Sequence, residues 1–535
     1  MNDSPSPSPS PSPSPARPRW ITLPNVLFAV ILCAGILARV WEFAALPAGL
    51  NQDEASIGLD AYDLLHYGVD RNNVSFPVNF TSWDSGMDAL YGYILIPFVG
   101  FGLTVFTIRL PLLLSGILSL PLIYFVGKRT LGVYFGLLAM FFLAISPWHI
   151  MMSRWGLNDN ILPFVFLAGF AATVNSTPEN KWFLVASFFF GLCLYAYGAA
   201  YVAVPLFLLC AIPILLIHKS VSKRTAIQGA CIFVLLSAPI GLFLLVNSLH
   251  LQSITIGPLT IPRLPTQARY EFMAAIFSAD PLSIFKENII AAIQLIMGKS
   301  DGLPWNELSN YQYFYARAYI LSFVGAVLLI PSWGMKSQKE KWLMLSWLAA
   351  AFCIGLMQPV NVNRFNLIFI PLIFCAAVCV FCLLAYARPF SLILLVPFAA
   401  AFILFNRDYH GVEYRQSIGK EFFNGLLPAL EFTRSMDDHP VCVTGSVNQP
   451  YIYVLFLEKK NPADYIDNLI YNQPDSSFRT VLFYGRYSFG SPDCSKQPDA
   501  VSILSSGESM ENASAFESRT FGNFIVYYPK QPGDP

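Results

Sequence analysis

The chain has 535 residues, of which 55% are apolar and 12% charged, with 33 basic and 33 acidic side chains. Soluble domains carry about 25% charged residues, so a large soluble enzyme is excluded, and 45 Phe, 25 Tyr and 10 Trp exclude a disordered chain. A zero balance without a basic patch argues against nucleic-acid binding, which leaves a polytopic membrane protein.

Residues 1–19 begin with a Ser-Pro alternation, Ser4 to Pro15, which reads as an extended, disordered N-terminus. Arg17, Arg19 and Trp20 then flank the apolar run Ile21–Ala45, too long for a signal-peptide core and read as an uncleaved anchor. Further spans are predicted at Thr107–Val126, Leu131–Trp148, Asn160–Val174, Trp182–Tyr197, Tyr201–Ile217, Ala226–Asn247, Phe314–Trp333, Trp342–Met357, Phe365–Ala385 and Pro389–Phe405, eleven in all. Ala89–Gly102 is apolar but short, and reads as a re-entrant or interfacial helix.

From Asn406 onward 27 of 130 residues are charged, 16 acidic and 11 basic, against 39 in the first 405. A membrane domain (20–405) therefore precedes a soluble tail (406–535). Ile418–Met436 has a helical pattern, whereas PVCVT at 440–444, TVLFY at 480–484 and NFIVYY at 523–528 look like strands, so the tail reads as a small α/β domain. Of ten cysteines, eight lie in apolar spans and only Cys442 and Cys494 in the tail. These two either form a disulfide, if the tail is extracytoplasmic, or remain free thiols.

The positive-inside rule orients the chain. With the N-terminus inside, the inner loops hold Lys128/Arg129, Lys181, Lys219/Lys223/Arg224, Lys336/Lys339/Lys341 and Arg388, while 13 of the 17 acids before the tail fall outside. An odd number of spans places the tail outside as well. Two outer segments are long, Leu46–Phe106 and His250–Tyr313, the second with an amphipathic stretch at Tyr270–Phe277.

The first outer loop opens with Asn51-Gln52-Asp53-Glu54, followed by Ile57, Ala61, Leu64 and Leu65 at helical spacing. Asn51 can cap this helix, the acids sit at its positive end, and its apolar face would lie on the membrane surface. The same residues also make an ordinary capped helix with first-turn acids. The second outer hairpin is short, so His149, Arg154 and Asp159 must sit at the mouth of the spans. Asp159 either caps the following span or needs a partner. Arg154 and Arg364 are cations in short outer loops, which the positive-inside rule disfavours, and a lipid phosphate would compensate them through bidentate hydrogen bonds. Arg109 and Arg317, at outer span ends, read as snorkelling to headgroups.

An Asp-Glu pair just after the first span, a long first loop with interfacial helices, and Ser153, Arg154 and Asp159 in a short second hairpin resemble the GT-C glycosyltransferases. The nearest group is the family-39 type, which includes protein mannosyltransferases and the aminoarabinose transferase of lipid A. The resemblance covers residues 20–405 in architecture. It implies a GT-C-like α-helical domain of about 11 transmembrane helices in a bacterial plasma membrane. Its activity would be transfer of a sugar from a polyprenyl-phosphate donor to a lipid- or glycan-linked acceptor hydroxyl at the outer leaflet. Asp53 matches the family's general base and Asp159 its second acidic position. Glu54 would orient the acceptor or share the proton. Arg154 and Arg364 would neutralise the phosphate leaving group, with His149, Trp83 and Asp84 as further substrate-binding positions. Trp83-Asp84-Ser85-Gly86-Met87-Asp88 stands where the aminoarabinose-transferase pattern has a Lys-Pro-Pro-like element, so its basic residue is missing. No cofactor is required, although a divalent cation could bridge Asp53 and Asp159. A carrier or flippase for lipid-linked saccharides, a polysaccharide polymerase or ligase, and a scaffold displaying the tail are the alternatives.

Overall fold

The computed structural model describes residues 22–83, 85–266, 280–308, 310–315, 317–330, 338–386, 390–436, 439–472, 479–491, 494, 497, 499–510 and 513–530. The Ser-Pro segment, Asp84 and the amphipathic stretch at 270–277 lie outside them.

Each predicted span coincides with a helix. In chain order the first half comprises α1 (Leu23–Val40), α2 (Gln52–Tyr67), α3 (Leu90–Val99), α4 (Val105–Leu131), α5 (Val133–Ile145), α6 (Pro147–Met152), α7 (Leu162–Val174), α8 (Trp182–Cys193), α9 (Ala200–Ile217) and α10 (Lys223–Ser248). Then come α11 (Pro281–Ile296), α12 (Ala318–Leu329), α13 (Gln338–Met357), α14 (Phe369–Tyr386) and α15 (Val396–Tyr409). Among the described residues six helices are long and apolar enough to cross a membrane, and five apolar ones are shorter. The short run at 89–102 forms α3, only ten residues with Pro97 inside it.

Local chemistry sets the boundaries. Thr104 and Thr107 make a reciprocal capping box that starts α4. Gly132, at φ 98°, ends it and turns the chain into α5. The two helices then pack backbone to backbone: a Cβ on Gly127 would lie 2.9 Å from the Gly136 Cα.

Loops predicted on one side meet one another. Lys339 Nζ donates to the Val174 and Ser176 carbonyls, joining two lysine-bearing loops. At the other end Asn366 Nδ2 donates to the Asp159 carbonyl at 2.8 Å, and Ser146 Oγ to that of Tyr313 at 2.8 Å. The long loops join there too. The first forms the hairpin β1 (Asn79–Ser82) and β2 (Ser85–Asp88), the second the hairpin β3 (Ile254–Ile256) and β4 (Leu259–Ile261). The Val78 amide donates to the Thr260 carbonyl at 2.8 Å.

The tail contains α16 (Val412–Glu421), α17 (Leu426–Thr433), β5 (Val441–Val443), α18 (Tyr451–Glu458), α19 (Pro462–Tyr465), β6 (Ile470–Asn472), β7 (Thr480–Tyr484), β8 (Tyr487–Phe489), β9 (Val501–Ser505), β10 (Phe516–Phe521) and β11 (Phe524–Pro529). Its seven-stranded sheet runs β10-β11-β9-β5-β8-β7-β6, with β5 parallel to β8 and β9. The three strand-like motifs of the sequence are β5, β7 and β11. Cys442 and Cys494 are joined as a disulfide.

The tail sits on the first loop. The Leu50 amide donates to the Phe422 carbonyl at 2.7 Å, Tyr453 donates to the Leu50 carbonyl at 3.0 Å, and Tyr465 to that of Arg71 at 3.1 Å. This corrects the expected placement of α2. Ile57, Ala61 and Leu64 are buried, and α2 packs between α3 and α18, so the protein itself covers this face and not lipid; only Leu65 is exposed, at 42%.

Candidate active site

A cavity of about 570 Å³ opens where α2, the β1–β2 hairpin, the second hairpin and the loop before α14 converge. Asp53, Asp159 and Arg364 all line it. Trp155, Trp305, Tyr197 and Phe243 supply an aromatic wall. Tyr197 and Gly198 belong to the break between α8 and α9.

Asp53 is held at the start of α2. Asn51 is the cap: its Oδ1 accepts from the Asp53 amide at 2.9 Å, and its own amide donates to Glu54 at 3.1 Å. Trp83 Nε1 donates to Asp53 Oδ1 at 3.2 Å. Trp83 is fixed in turn: its backbone takes φ 52°, and the Arg71 guanidinium lies 5.2 Å from its ring centroid. Arg71 is clamped by Asp60 at 2.5 Å and by the Thr81 carbonyl. A continuous chain, Asp60–Arg71–Trp83–Asp53, thus orients the carboxylate. Trp83, expected as a substrate-binding position, instead bonds Asp53 and is not among the cavity-lining residues.

Asp159 lies in the 3-10 turn Asn158–Ile161, whose backbone is tied to Asn366. Arg364 ends a loop pinned by Asp301, which accepts from the Val362 amide at 2.9 Å. Its own amide donates to Asn361 Oδ1 at 2.8 Å.

Three expected site residues are elsewhere. Glu54 is fully buried; Arg109 Nε and Nη2 bind its two oxygens at 2.7 and 2.8 Å, and the Gly156 amide adds a bond at 2.6 Å. With both oxygens consumed it has no lone pair directed at an acceptor. Arg109 is therefore a buried structural partner and does not reach headgroups. Arg154 is also fully buried, and its Nη atoms donate to the carbonyls of Ala38, Arg39, Trp41, Glu42 and Leu46. It caps the end of α1, where a cation meets the negative end of the helix dipole, and has no Nη group left for a phosphate. His149 is buried against Arg39, 2.7 Å from Nδ1 to Nη2, and does not reach the cavity.

Sequence reasoning missed Asn79, Asp88 and Tyr201 on the cavity wall, since cross-strand and cross-loop neighbours leave no spacing to read. It also missed a buried acidic group in the first loop. Asp60, Asp63 and Asp70 are all fully buried around Arg71. Burial raises all three carboxyls above the usual range, and Asp63, beside the charges of Asp60 and Asp70, is pushed up to about 9. Among the described residues no group of three or more His, Cys, Asp or Glu converges as a metal-ligand set. A cation in the cavity would rest on Asp53 and Asp159 with neutral oxygens, a donor set that suits a hard, hydrated ion.

A family model described as dolichyl-phosphate-mannose-protein mannosyltransferase matches residues 94–243. ArnT from Cupriavidus metallidurans bound to undecaprenyl phosphate superposes with a TM-score of 0.52 at 11% identity, over 94% of this chain and 97% of ArnT. The chain shares the GT-C fold. The archaeal oligosaccharyltransferase AglB from Archaeoglobus fulgidus, in complex with an inhibitory peptide and a dolichol-phosphate, shares the fold with a TM-score of 0.50 at 12% identity. That match covers 82% of this chain and 64% of AglB. Comparison with curated protein sequences returns no match.

Proposed function

We propose that this protein transfers a sugar from a polyprenyl-phosphate-linked donor to a hydroxyl of a lipid- or glycan-linked acceptor. The observation that carries the reading is one cavity combining Asp53, Asp159 and Arg364 with an apolar wall. Its fold is shared with a protein seen bound to undecaprenyl phosphate.

Asp53 accepts the proton of the acceptor hydroxyl as that oxygen bonds to the anomeric carbon. The bond from that carbon to the phosphate oxygen breaks, and polyprenyl phosphate leaves with its new charge beside Arg364. One displacement inverts the anomeric configuration. Asp159 supplies the second carboxylate of the wall. The basic loops at the opposite end favour an outward-facing site in a bacterial plasma membrane, and the Cys442–Cys494 disulfide fits an oxidising compartment for the tail.

The test incubates membranes containing the full chain with labelled undecaprenyl-phosphate sugars and identifies the labelled product. Asp53→Asn should lower transfer by roughly 100-fold or more while binding of undecaprenyl phosphate persists. Full transfer by that variant removes Asp53 as the base. Movement of the lipid across the bilayer without transfer, by the unaltered protein, favours a carrier instead.

A further inference from the structure

We propose that Asn79 and Asp88 form the subsite that binds two adjacent hydroxyls of the transferred sugar. This rests on the donor reading above and refines it by naming how the sugar is recognised.

Asn79 and Asp88 stand directly opposite each other in the β1–β2 hairpin, so their side chains share one face. Asn79 Nδ2 donates to Asp88 Oδ1 at 3.2 Å. An ionised carboxylate only accepts, so this bond fixes the amide's orientation and turns Asn79 Oδ1 away from Asp88. Asn79 is 3% exposed, yet its Oδ1 meets no hydrogen-bond donor among the described residues. A buried acceptor without a donor is a defect that folding alone does not call for. Gly86 keeps this oxygen uncovered: a Cβ there would lie 2.6 Å from Asn79 Oδ1. Tyr201 donates to Asp88 Oδ1 at 2.9 Å and fixes the carboxylate from the α9 side.

Asn79, Gly86, Asp88 and Tyr201 all line the cavity that holds Asp53 and Arg364. Two oxygen acceptors on one face, one of them without a donor, match a pair of hydroxyl donors on neighbouring ring carbons. The donor sugar fits this description best. Its anomeric carbon carries the phosphate, so its remaining hydroxyls must face the cavity walls, whereas the acceptor need present only one hydroxyl. The hairpin thus selects the sugar, while Arg364 and the apolar wall hold the lipid phosphate common to all such donors.

The experiment measures binding of undecaprenyl phosphate, undecaprenyl-phosphate mannose and undecaprenyl-phosphate glucose to the purified full chain. For at least one sugar the unaltered protein should bind the glycosylated lipid at least about 10-fold more tightly than the bare lipid. Asn79→Ala and Asp88→Asn should each bring that ratio close to one and leave bare-lipid affinity unchanged. Tyr201→Phe, which leaves the hairpin intact, should reduce the ratio partially. A ratio preserved in both hairpin variants overturns the subsite. So does an equal loss for bare and glycosylated lipid, which is what a purely structural hairpin would give. An unaltered protein that prefers neither sugar over the bare lipid also overturns it, whereas one that binds no lipid at all overturns the donor reading itself.

Discussion

Arg109 grips Glu54 through two parallel hydrogen bonds, Nε to Oε1 at 2.7 Å and Nη2 to Oε2 at 2.8 Å, with both side chains fully buried. Two adjacent acids therefore have different tasks: Asp53 faces the cavity, and Glu54 bolts the start of α2 to α4. Removing one partner of a buried pair leaves the other charge uncompensated and costs about 3–5 kcal/mol. Glu54→Gln should lower the thermal unfolding midpoint sharply in detergent, whereas Asp53→Asn should leave it in place. Equal midpoints with activity lost in both would return Glu54 to the chemistry.

Trp83 acts on Asp53 through its indole N–H, not its bulk. Trp83→Phe keeps a ring under Arg71 and deletes only the hydrogen bond. We expect kcat to fall about 10-fold, the effect of one lost charge-assisted bond, with donor KM nearly unchanged. Steady-state kinetics at saturating donor separates this from a packing defect, which would raise KM and lower the melting temperature.

The two arginines of the short outer loops should separate cleanly. Arg364→Gln is expected to weaken undecaprenyl-phosphate binding by about 10-fold or more and to leave folding intact. Arg154→Gln strands five backbone carbonyls around the end of α1 and should reduce the yield of folded protein. Lipid-binding titrations alongside gel-filtration profiles check both halves.

Asp63 makes stability depend on pH. Burial and the neighbouring charges of Asp60 and Asp70 push its carboxyl up to about 9, with Arg71 and Tyr465 opposing. The folded chain therefore holds a proton there that the unfolded chain gives up near the ordinary carboxylate value of about 4. Below that value burial of Asp63 has no ionisation cost. Stability is then lost progressively as pH rises toward 9, where the buried group ionises. Asp63→Asn should raise the melting temperature, and the gain should grow from pH 5 to pH 8. A constant difference across that range would show Asp63 to be ionised in the folded chain throughout.

Much of this was legible in the sequence. A membrane span is signalled by length and apolarity together, so the helices were found, and so was the shortness of the run that forms α3. The short second hairpin points to Asp159, the cation in a short outer loop to Arg364 and the family resemblance to Asp53, and the three line one cavity. Arg154 misled because its partners are main-chain carbonyls of an unwound turn in which Glu42 and Ala44 take φ 52° and 65°. Such acceptors have no side-chain identity to read. The face of α2 misled for a related reason: an amphipathic stripe announces that something covers it, not whether that is lipid or α18. Asn79 and Asp88 meet only across a hairpin whose register the sequence does not display.

The backbone bond between Leu50 and Phe422 joins the residue just ahead of the Asn51 cap to the tail. Gly49 permits that approach, since a Cβ there would lie 2.1 Å from the Phe422 carbonyl oxygen, and Gly425, at φ 101°, turns the tail chain close by. The two regions are thus fitted to each other as one structural unit. A lineage that exchanged its tail by recombination would unseat the segment leading into Asp53, and relatives that keep this tail should keep glycine at position 49.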